Sequence, residues 1–294
     1  MADDRSSLRG QVGIVTGGGR GIGQAMALAL ARSGMHVIAA ARSAGEIEET
    51  AGLARSAGGS AEAAVLDVCD EESIETCLAG VLKRHGRIDL LVNNAGSQSA
   101  VGPVWEVDPR RWRQDIEVNL LGPFLCCRAV LPSMMQRRSG RIINVLGGGL
   151  TGPIPYNSAY SSSKAGLARF TETLSIEAGP WSVHVFALSP GAVQTSLTRS
   201  LFDSPEGRKW QAALKARVDG IWIGPERAAD RTVLLASGQA DGLSGLLLTV
   251  DDDVTAMLKS VADIRRNDLH ALRVVKANEG HVRPILSPPV GPDD

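Results

Sequence analysis

The stretch that decides the fold is residues 12–23, VGIVTGGGRGIG. Its first five residues, Val12–Thr16, form an apolar run of the length expected for a buried strand. A glycine-rich turn follows at once. Apolar residues then recur at helical spacing until Gly34, namely Ile22, Ala25, Met26, Ala29 and Leu30. The sequence therefore predicts a strand, a glycine turn and an amphipathic helix in direct succession.

The position of the glycines between a strand and a helix indicates a chemical role for them. Glycine lets the backbone turn sharply and approach a pyrophosphate closely, while the free N–H groups and the positive dipole end of the helix face the anion. A glycine-rich turn between a strand and a helix favours dinucleotide binding over a plain tight loop.

The end of the second predicted strand, at residues 36–41, indicates which dinucleotide is bound. NAD enzymes usually carry an acidic residue there to bind the ribose hydroxyls, whereas a nearby arginine accommodates the extra phosphate of NADP. Ala41 holds this place and Arg42 follows, and Arg20 in the glycine turn offers a second guanidinium. We expect NADP(H). The alternative is that both arginines are solvated surface residues.

Strand and helix patterns alternate along the rest of the chain. Further strands are predicted at residues 61–66, 88–92, 141–145, 183–188 and 246–250, and a long helix at residues 109–131. Ser43 and Glu46 match a capping box that opens the helix after the second strand. The alternation predicts an α/β fold in which helices cover both faces of a parallel sheet.

Three side chains are candidates for proton transfer. Tyr160 and Lys164 lie one turn apart on one helix face, and a Lys beside a Tyr favours the phenolate, so we expect the pKa of Tyr160 to fall. Asn119 lies between apolar neighbours, and a buried amide needs a partner. It is either a structural hydrogen bonder or holds a proton-carrying water.

Composition excludes several classes of function. The 294 residues are 44% hydrophobic and 21% charged, with a net charge of −1, so nothing indicates a nucleic-acid or membrane partner. The four cysteines include no C-x-x-C pair and the five histidines lie far apart in sequence, so we expect no disulfide framework and no metal site. No signal region and no apolar run approaching about 18 residues is evident, so we expect a cytoplasmic protein.

Taken together, these motifs resemble those of the classical short-chain dehydrogenase/reductase family. The resemblance spans roughly residues 8–253 and rests on motifs in the family's order and spacing, namely Thr16-Gly17-x-x-x-Gly21-x-Gly23, Asp67, Asn93-Asn94-Ala95-Gly96, Asn119, Tyr160-x-x-x-Lys164 and Pro190-Gly191 with Thr195. It implies a single Rossmann-type, doubly wound parallel sheet of about seven strands, and a homodimer or homotetramer. Residues 254–294 would form a C-terminal extension, helical at first and then a Pro-rich tail.

The resemblance also assigns roles. Tyr160 would be the acid or base, Lys164 would tune it and bind the nicotinamide ribose, and Asn119 would anchor a relay water. The residues expected to bind the cofactor are Gly17, Gly19, Arg20, Gly21, Ile22, Gly23, Arg42, Asp67, Val68, Asn94, Ala95, Gly96, Tyr160, Lys164, Pro190, Gly191, Val193 and Thr195. Asp67 has a second interpretation, as a cap for the turn before the next helix.

One catalytic residue of the family is missing. Its members carry a Ser thirteen positions before the Tyr, where this chain has Gly147. Either Thr151, Tyr156, Ser158 or a water substitutes, or the glycines make room for a bulky substrate with its own hydroxyl, or the site has left hydride transfer.

We expect an NADP(H)-dependent oxidoreductase that interconverts a ketone and a secondary alcohol on a bulky, partly apolar small molecule. Residues 195–224 would form its substrate lid, in which Trp210 and Trp222 either line the pocket or only pack the lid down. The alternatives are a non-redox isomerase or lyase that uses Tyr160, and a non-catalytic nucleotide-binding sensor.

Overall fold

The computed structural model describes residues 8–150 and 152–273. Its seven strands form one parallel sheet in the order β3-β2-β1-β4-β5-β6-β7. The strands are β1 (Val12–Thr16), β2 (His36–Ala41), β3 (Ser60–Val65), β4 (Leu90–Asn93), β5 (Gly140–Val145), β6 (Val183–Ser189) and β7 (Leu247–Thr249). The predicted fold class is confirmed, with strand ends shifted by one or two residues.

Helices cover both faces of this sheet. They are α1 (Gly21–Arg32), α2 (Ala44–Ser56), α3 (Glu71–His85), α4 (Pro109–Ile116), α5 (Gly122–Arg137), α6 (Ser158–Ala178), α7 (Ser196–Asp203), α8 (Pro205–Trp210), α9 (Ala212–Val218), α10 (Glu226–Ala236), α11 (Val254–Lys259) and α12 (Val261–Arg266). On one face, α1, α2 and α10 pack in the core. On the other, α3, α5 and α6 do so.

Helices α4 and α5 are joined by a π-helical turn, Glu117–Leu121, into a helical segment of 29 residues, Pro109–Arg137. By length and composition alone this segment is apolar enough to cross a membrane, the single such case among the residues described. Its buried members Cys126, Cys127 and Val130 belong to the core beneath the sheet, which accounts for its apolar composition. The helix predicted at residues 109–131 is thus present and extends six residues further, to Arg137.

The predicted capping box at Ser43 is wrong. Ser43 is the N-cap of α2, but its side chain makes no capping hydrogen bond. The Glu46 carboxylate accepts a hydrogen bond from Arg20 Nη1 at 3.1 Å instead. The sequence pattern did not predict that Arg20, in the glycine turn, would bind the Glu46 carboxylate.

A buried chain of hydrogen bonds ties α6 to the sheet. Asn93 Nδ2 on β4 donates to Asn144 Oδ1 on β5 at 2.8 Å, and Asn144 Nδ2 donates to Thr171 Oγ1 on α6 at 2.9 Å. Thr171 in turn donates to the Leu167 carbonyl. Because buried polar groups without partners are costly, this chain fixes the position of α6 relative to β5.

The segment after β7 packs on the body of the molecule. Val254, Met257 and Ile264 join the core beside α10, and the His270 carbonyl accepts a hydrogen bond from the Leu247 N–H at 2.8 Å. Of the predicted extension, the helical part is thus seen as α11 and α12. The Pro-rich tail lies outside the described residues.

Candidate active site

A cavity of about 1150 Å³ opens at the carboxyl edge of the sheet. Ligands of doubly wound sheets bind in this crevice, where the loops after the strands converge. Every residue predicted above to bind a cofactor lines it, from the glycine turn after β1 to Thr195 after β6. The structure thus brings together residues that are up to 178 positions apart in sequence, since Gly17 and Thr195 share one wall.

The glycine turn has a backbone shape that larger residues would not tolerate. Gly17 and Gly21 have φ angles of +63° and +57°, in the left-handed region that favours glycine. A Cβ added to Gly23 would lie 2.2 Å from the Gly17 carbonyl oxygen. Arg20, the N-cap of α1, makes no side-chain capping bond, so the N–H groups of the first helical turn are left for an anion.

Asn94 holds the glycine turn against the end of β4. Its Nδ2 donates to the carbonyls of Thr16 and Gly17 at 3.0 and 3.2 Å, and its N–H donates to Thr16 Oγ1 at 3.0 Å. Asn94 therefore links the ends of β1 and β4 by hydrogen bonds, and the next residues, Ala95 and Gly96, line the cavity.

Both candidate phosphate-binding arginines line the cavity with about two thirds of their side chains exposed. Arg20 pairs with Glu46 at 3.1 Å, and Arg42 lies 3.9 Å from Asp67. Asp67 also accepts a hydrogen bond from the Cys69 N–H at 3.0 Å, while Asp70 caps α3. Asp67 thus shapes its own turn and still faces the cavity.

Tyr160 and Lys164 project from α6 into the cavity and are almost fully buried. Lys164 Nζ donates to the Val145 carbonyl at 2.9 Å and lies 5.6 Å from the centre of the Tyr160 ring. Burial lowers the pKa of Lys164 to about 8. The ammonium is therefore still the main form at neutral pH.

The expected fall in the Tyr160 pKa is wrong. Burial, followed by the negative charge of Asp115, raises the pKa of Tyr160 to about 12. Sequence reasoning counted the Lys164 charge but not the loss of water around the phenol, which here outweighs it. Tyr160 therefore holds its proton at neutral pH, which is the form of a general acid.

Both polar atoms of the Asn119 side chain form hydrogen bonds with the loop that follows β4. Its Oδ1 accepts the Ser97 N–H at 2.9 Å and its Nδ2 donates to the Ser97 carbonyl at 2.7 Å. Asn119 does not line the cavity. The amide is thus a structural hydrogen bonder, the first of its two predicted roles. A relay water would have to bind its backbone, in the π-helical turn where the regular helical bonding is interrupted.

Gly147 lies against the phenol of Tyr160. A Cβ added at Gly147 would come 1.9 Å from Tyr160 Oη. The phenolic oxygen therefore occupies the space that a side chain at position 147 would need. Tyr160 can hold this position only because residue 147 has no side chain.

Neither described side chain proposed to replace the missing Ser lines the cavity. Tyr156 stacks on Trp210 with ring centres 4.7 Å apart, and Ser158 Oγ accepts the Trp112 Nε1–H at 3.1 Å. Thr151 lies outside the described residues. The cavity wall instead includes polar residues that sequence reasoning missed, namely Gln98, Arg111, Gln114 and Glu206. The position of Gln98 two residues after the Asn-Asn-Ala-Gly motif was the available signal.

The outer part of the cavity is apolar. Residues 195–224 form α7, α8 and α9, and the lid cluster combines Val101, Leu201 and Phe202 with Trp210, Leu214, Val218 and Trp222. Trp222 lines the cavity, whereas Trp210 packs against Tyr156 outside it. Of the two predicted roles, Trp222 therefore has the first, lining the pocket, and Trp210 has the second, packing the lid down.

The residues present fit a nicotinamide dinucleotide. A left-handed glycine turn, uncapped N–H groups at α1 and two exposed guanidinium groups suit a phosphorylated end. The same cavity runs on to a buried proton donor and a buried cation and ends in an apolar lid. Such an arrangement can hold a dinucleotide and a small apolar substrate side by side, with a proton available between them.

Comparisons with known proteins agree with this geometry. The short chain dehydrogenase family model matches residues 11–206. The 3beta-hydroxysteroid dehydrogenase 1 of Eggerthella lenta is 35% identical over 258 residues, which cover 87% of this chain and 96% of that protein.

Solved structures extend the likeness. A metagenomic short-chain oxidoreductase in complex with NADP is 33% identical with a TM-score of 0.67, covering 79% of this chain and 92% of that one. An actinorhodin polyketide ketoreductase with NADPH is 30% identical with a TM-score of 0.75, covering 85% and 97%. The chain therefore belongs to the short-chain dehydrogenase/reductase family.

Proposed function

We propose that this protein is an NADP(H)-dependent oxidoreductase that interconverts a ketone and a secondary alcohol on a bulky, partly apolar small molecule. The observation that carries the proposal is the continuity of one cavity, from the glycine turn past Tyr160 and Lys164 to the apolar lid. Homology to dehydrogenases and reductases supports the reaction class.

The preference for NADP rests on Arg20 and Arg42. Both guanidinium groups are exposed to the cavity, and the second strand ends in Ala41 where an NAD enzyme usually has a carboxylate. Two relatives of known structure contain NADP or NADPH, which supports the same choice. Glu46 and Asp67 partly neutralise the arginines, so we expect a preference rather than strict exclusion of NAD.

The substrate class follows from the lid. Leu201, Phe202 and Trp222 offer apolar surface to the cavity. The space beside Gly147 and Gly149 is taken by Tyr160 and Ser161, so the glycines themselves do not make room for a bulky substrate. The names of two relatives refer to a hydroxysteroid and a polyketide, both larger than a simple alcohol. We infer a substrate of comparable size.

The glycine turn, Arg20 and Arg42 would hold NADPH, which when bound would supply the hydride for reduction of the carbonyl carbon. Tyr160 Oη gives its proton to the carbonyl oxygen as negative charge develops there. The Lys164 ammonium, held by the Val145 carbonyl, stabilises the phenolate that remains and has two further N–H groups for the ribose hydroxyls. Asn119 keeps the Ser97 loop in place beside them.

The absence of a Ser at position 147 favours one competing function. Without this oxyanion donor, Tyr160 would serve as the acid or base of a non-redox isomerase or lyase, with the dinucleotide as a structural group.

We further propose that the protein is a cytoplasmic homodimer or homotetramer without a nucleic-acid or membrane partner. Each chain would consist of a catalytic unit at residues 8–253 and an extension at residues 254–294.

The function is tested by following NADPH and NADH absorbance while a panel of bulky ketones is added. We expect substrate-dependent oxidation, with kcat/KM higher for NADPH. Arg42→Ala should lower NADPH affinity by about 10- to 100-fold, because hydrogen bonds to charged groups contribute about 1.5–3 kcal/mol, and should leave NADH binding nearly unchanged.

Arg32→Ala is the matched control, because Arg32 is exposed at the end of α1 and outside the cavity. Tighter binding of NADH than NADPH by the unaltered protein would show that Arg42 has been misread. Product formation without any change in nicotinamide absorbance would favour the isomerase or lyase.

The pH dependence follows from Lys164. Its pKa of about 8 lies well below that of Tyr160, about 12, so the first group to lose a proton as pH rises is the ammonium. We expect kcat/KM for ketone reduction to be constant near neutral pH and to fall as pH rises through about 8. In Lys164→Met the rate should be low and this break should disappear. A break that persists in Lys164→Met would assign it to another group.

The role of Gly147 is tested by a matched pair of substitutions. Gly147→Ala should lower kcat/KM on a simple diketone by about 10²-fold, because its Cβ displaces the Tyr160 phenol. Gly147→Ser brings the same Cβ and adds a hydroxyl donor, so it should exceed Gly147→Ala by about 10²-fold. Equal rates in the two variants would mean that another group already polarises the carbonyl.

A further inference from the structure

A second cluster of functional side chains lies at the opposite edge of the sheet from the cavity. His36 opens β2, Glu62 lies in β3, and His85 ends α3. The parallel register of β2 and β3 pairs His36 with Ser60, two residues before Glu62, so these side chains share one face. None of the three residues lines the cavity.

The donor atoms of this cluster are close together. One ligand atom from each of His36, Glu62 and His85 lies within 4.8 Å of the other two. The His85 Nε2 to Glu62 Oε1 distance is 3.2 Å, and the two imidazole ring centres are 4.5 Å apart. Donors around a tetrahedral zinc ion lie about 3.4 Å apart, from bond lengths of about 2.1 Å. One edge of such a tetrahedron is therefore already formed.

The ion pairs of Glu62 do not explain the surroundings of His36. Its Nδ1 is 2.6 Å from Ser60 Oγ, while its Nε2 is buried and has no hydrogen-bond partner. A buried nitrogen without a partner is unfavourable. Metal-binding histidines typically present one ring nitrogen to the ion and hydrogen-bond the other, which is how Ser60 and His36 are arranged.

A competing cation, Arg84, lies at this cluster, and its Nη2 donates to Glu62 Oε1 at 2.6 Å. Glu62 and Arg84 are 30% and 50% exposed, so the guanidinium can move aside or leave the second carboxylate oxygen to the ion.

We propose that His36, Glu62 and His85 bind one divalent cation of the zinc type, with Ser60 orienting His36 and water completing the coordination. Two imidazoles and a carboxylate are a donor set that zinc accepts. The bound ion would join β2, β3 and α3, and it would stabilise the folded chain because the unfolded chain lacks the assembled site. The site is separate from the catalytic cavity and does not rest on the proposed reaction.

The test is calorimetric titration of the untagged, chelator-treated full chain with Zn²⁺, together with thermal melting. We expect one ion per chain and a higher melting temperature with Zn²⁺. His36→Gln and His85→Gln should each weaken binding by at least about 10-fold. His184→Gln should bind as the unaltered protein does, because His184 is a partly exposed histidine beside Asp241 on another strand.

Melting without metal shows whether each variant folds. Co²⁺ substitution identifies the donors, because a cysteine ligand would add a thiolate-to-cobalt charge-transfer band that imidazole and carboxylate ligands lack. Unchanged Zn²⁺ affinity in folded His36→Gln, a thiolate band, or no Zn²⁺ binding by the unaltered chain would each overturn the proposal.

Discussion

The site depends on one buried hydrogen bond, from the Lys164 ammonium to the Val145 carbonyl. A buried charge is costly unless it is bonded, so this contact fixes the distance between α6 and the end of β5. The Asn93, Asn144 and Thr171 side chains fix the same two elements deeper in the core. The helix that carries Tyr160 and Lys164 is thus held to the sheet at two levels, which restricts the movement of both side chains.

Gly147 also constrains the position of Tyr160. It follows Val145 closely in the chain, and its missing side chain leaves the space that Tyr160 Oη occupies. The chain keeps Tyr160 and Lys164 but has no Ser at position 147. In the proposed reaction, proton transfer and polarisation of the carbonyl are therefore no longer both carried out by the neighbouring side chains that the family usually has. In the proposed reaction, the buried pair on α6 transfers the proton. The carbonyl would then be polarised by the substrate itself or by a residue such as Gln98, which lines the cavity.

The sequence was sufficient for the parallel sheet and for the residues that line the cofactor side of the cavity, because a parallel α/β chain brings all its strand ends to one edge. Sequence patterns did not predict side-chain pairing or pKa shifts that depend on the surroundings in the folded chain. Glu46 pairs with Arg20 rather than capping its helix. The pKa of Tyr160 rises because burial outweighs the nearby charge. Sequence spacing also did not predict that His36 and His85 lie close together, because strand register and the end of α3 bring them there.

The most direct test of hydride transfer is reduction with NADPH that carries deuterium at the transferable position of the nicotinamide, using the ketone that the enzyme consumes fastest. We expect an alcohol product with one deuterium on its carbinol carbon, and loss of that product in Tyr160→Phe. A product without deuterium would show that the carbon receives its hydrogen from solvent, and the proposed oxidoreductase chemistry would be contradicted.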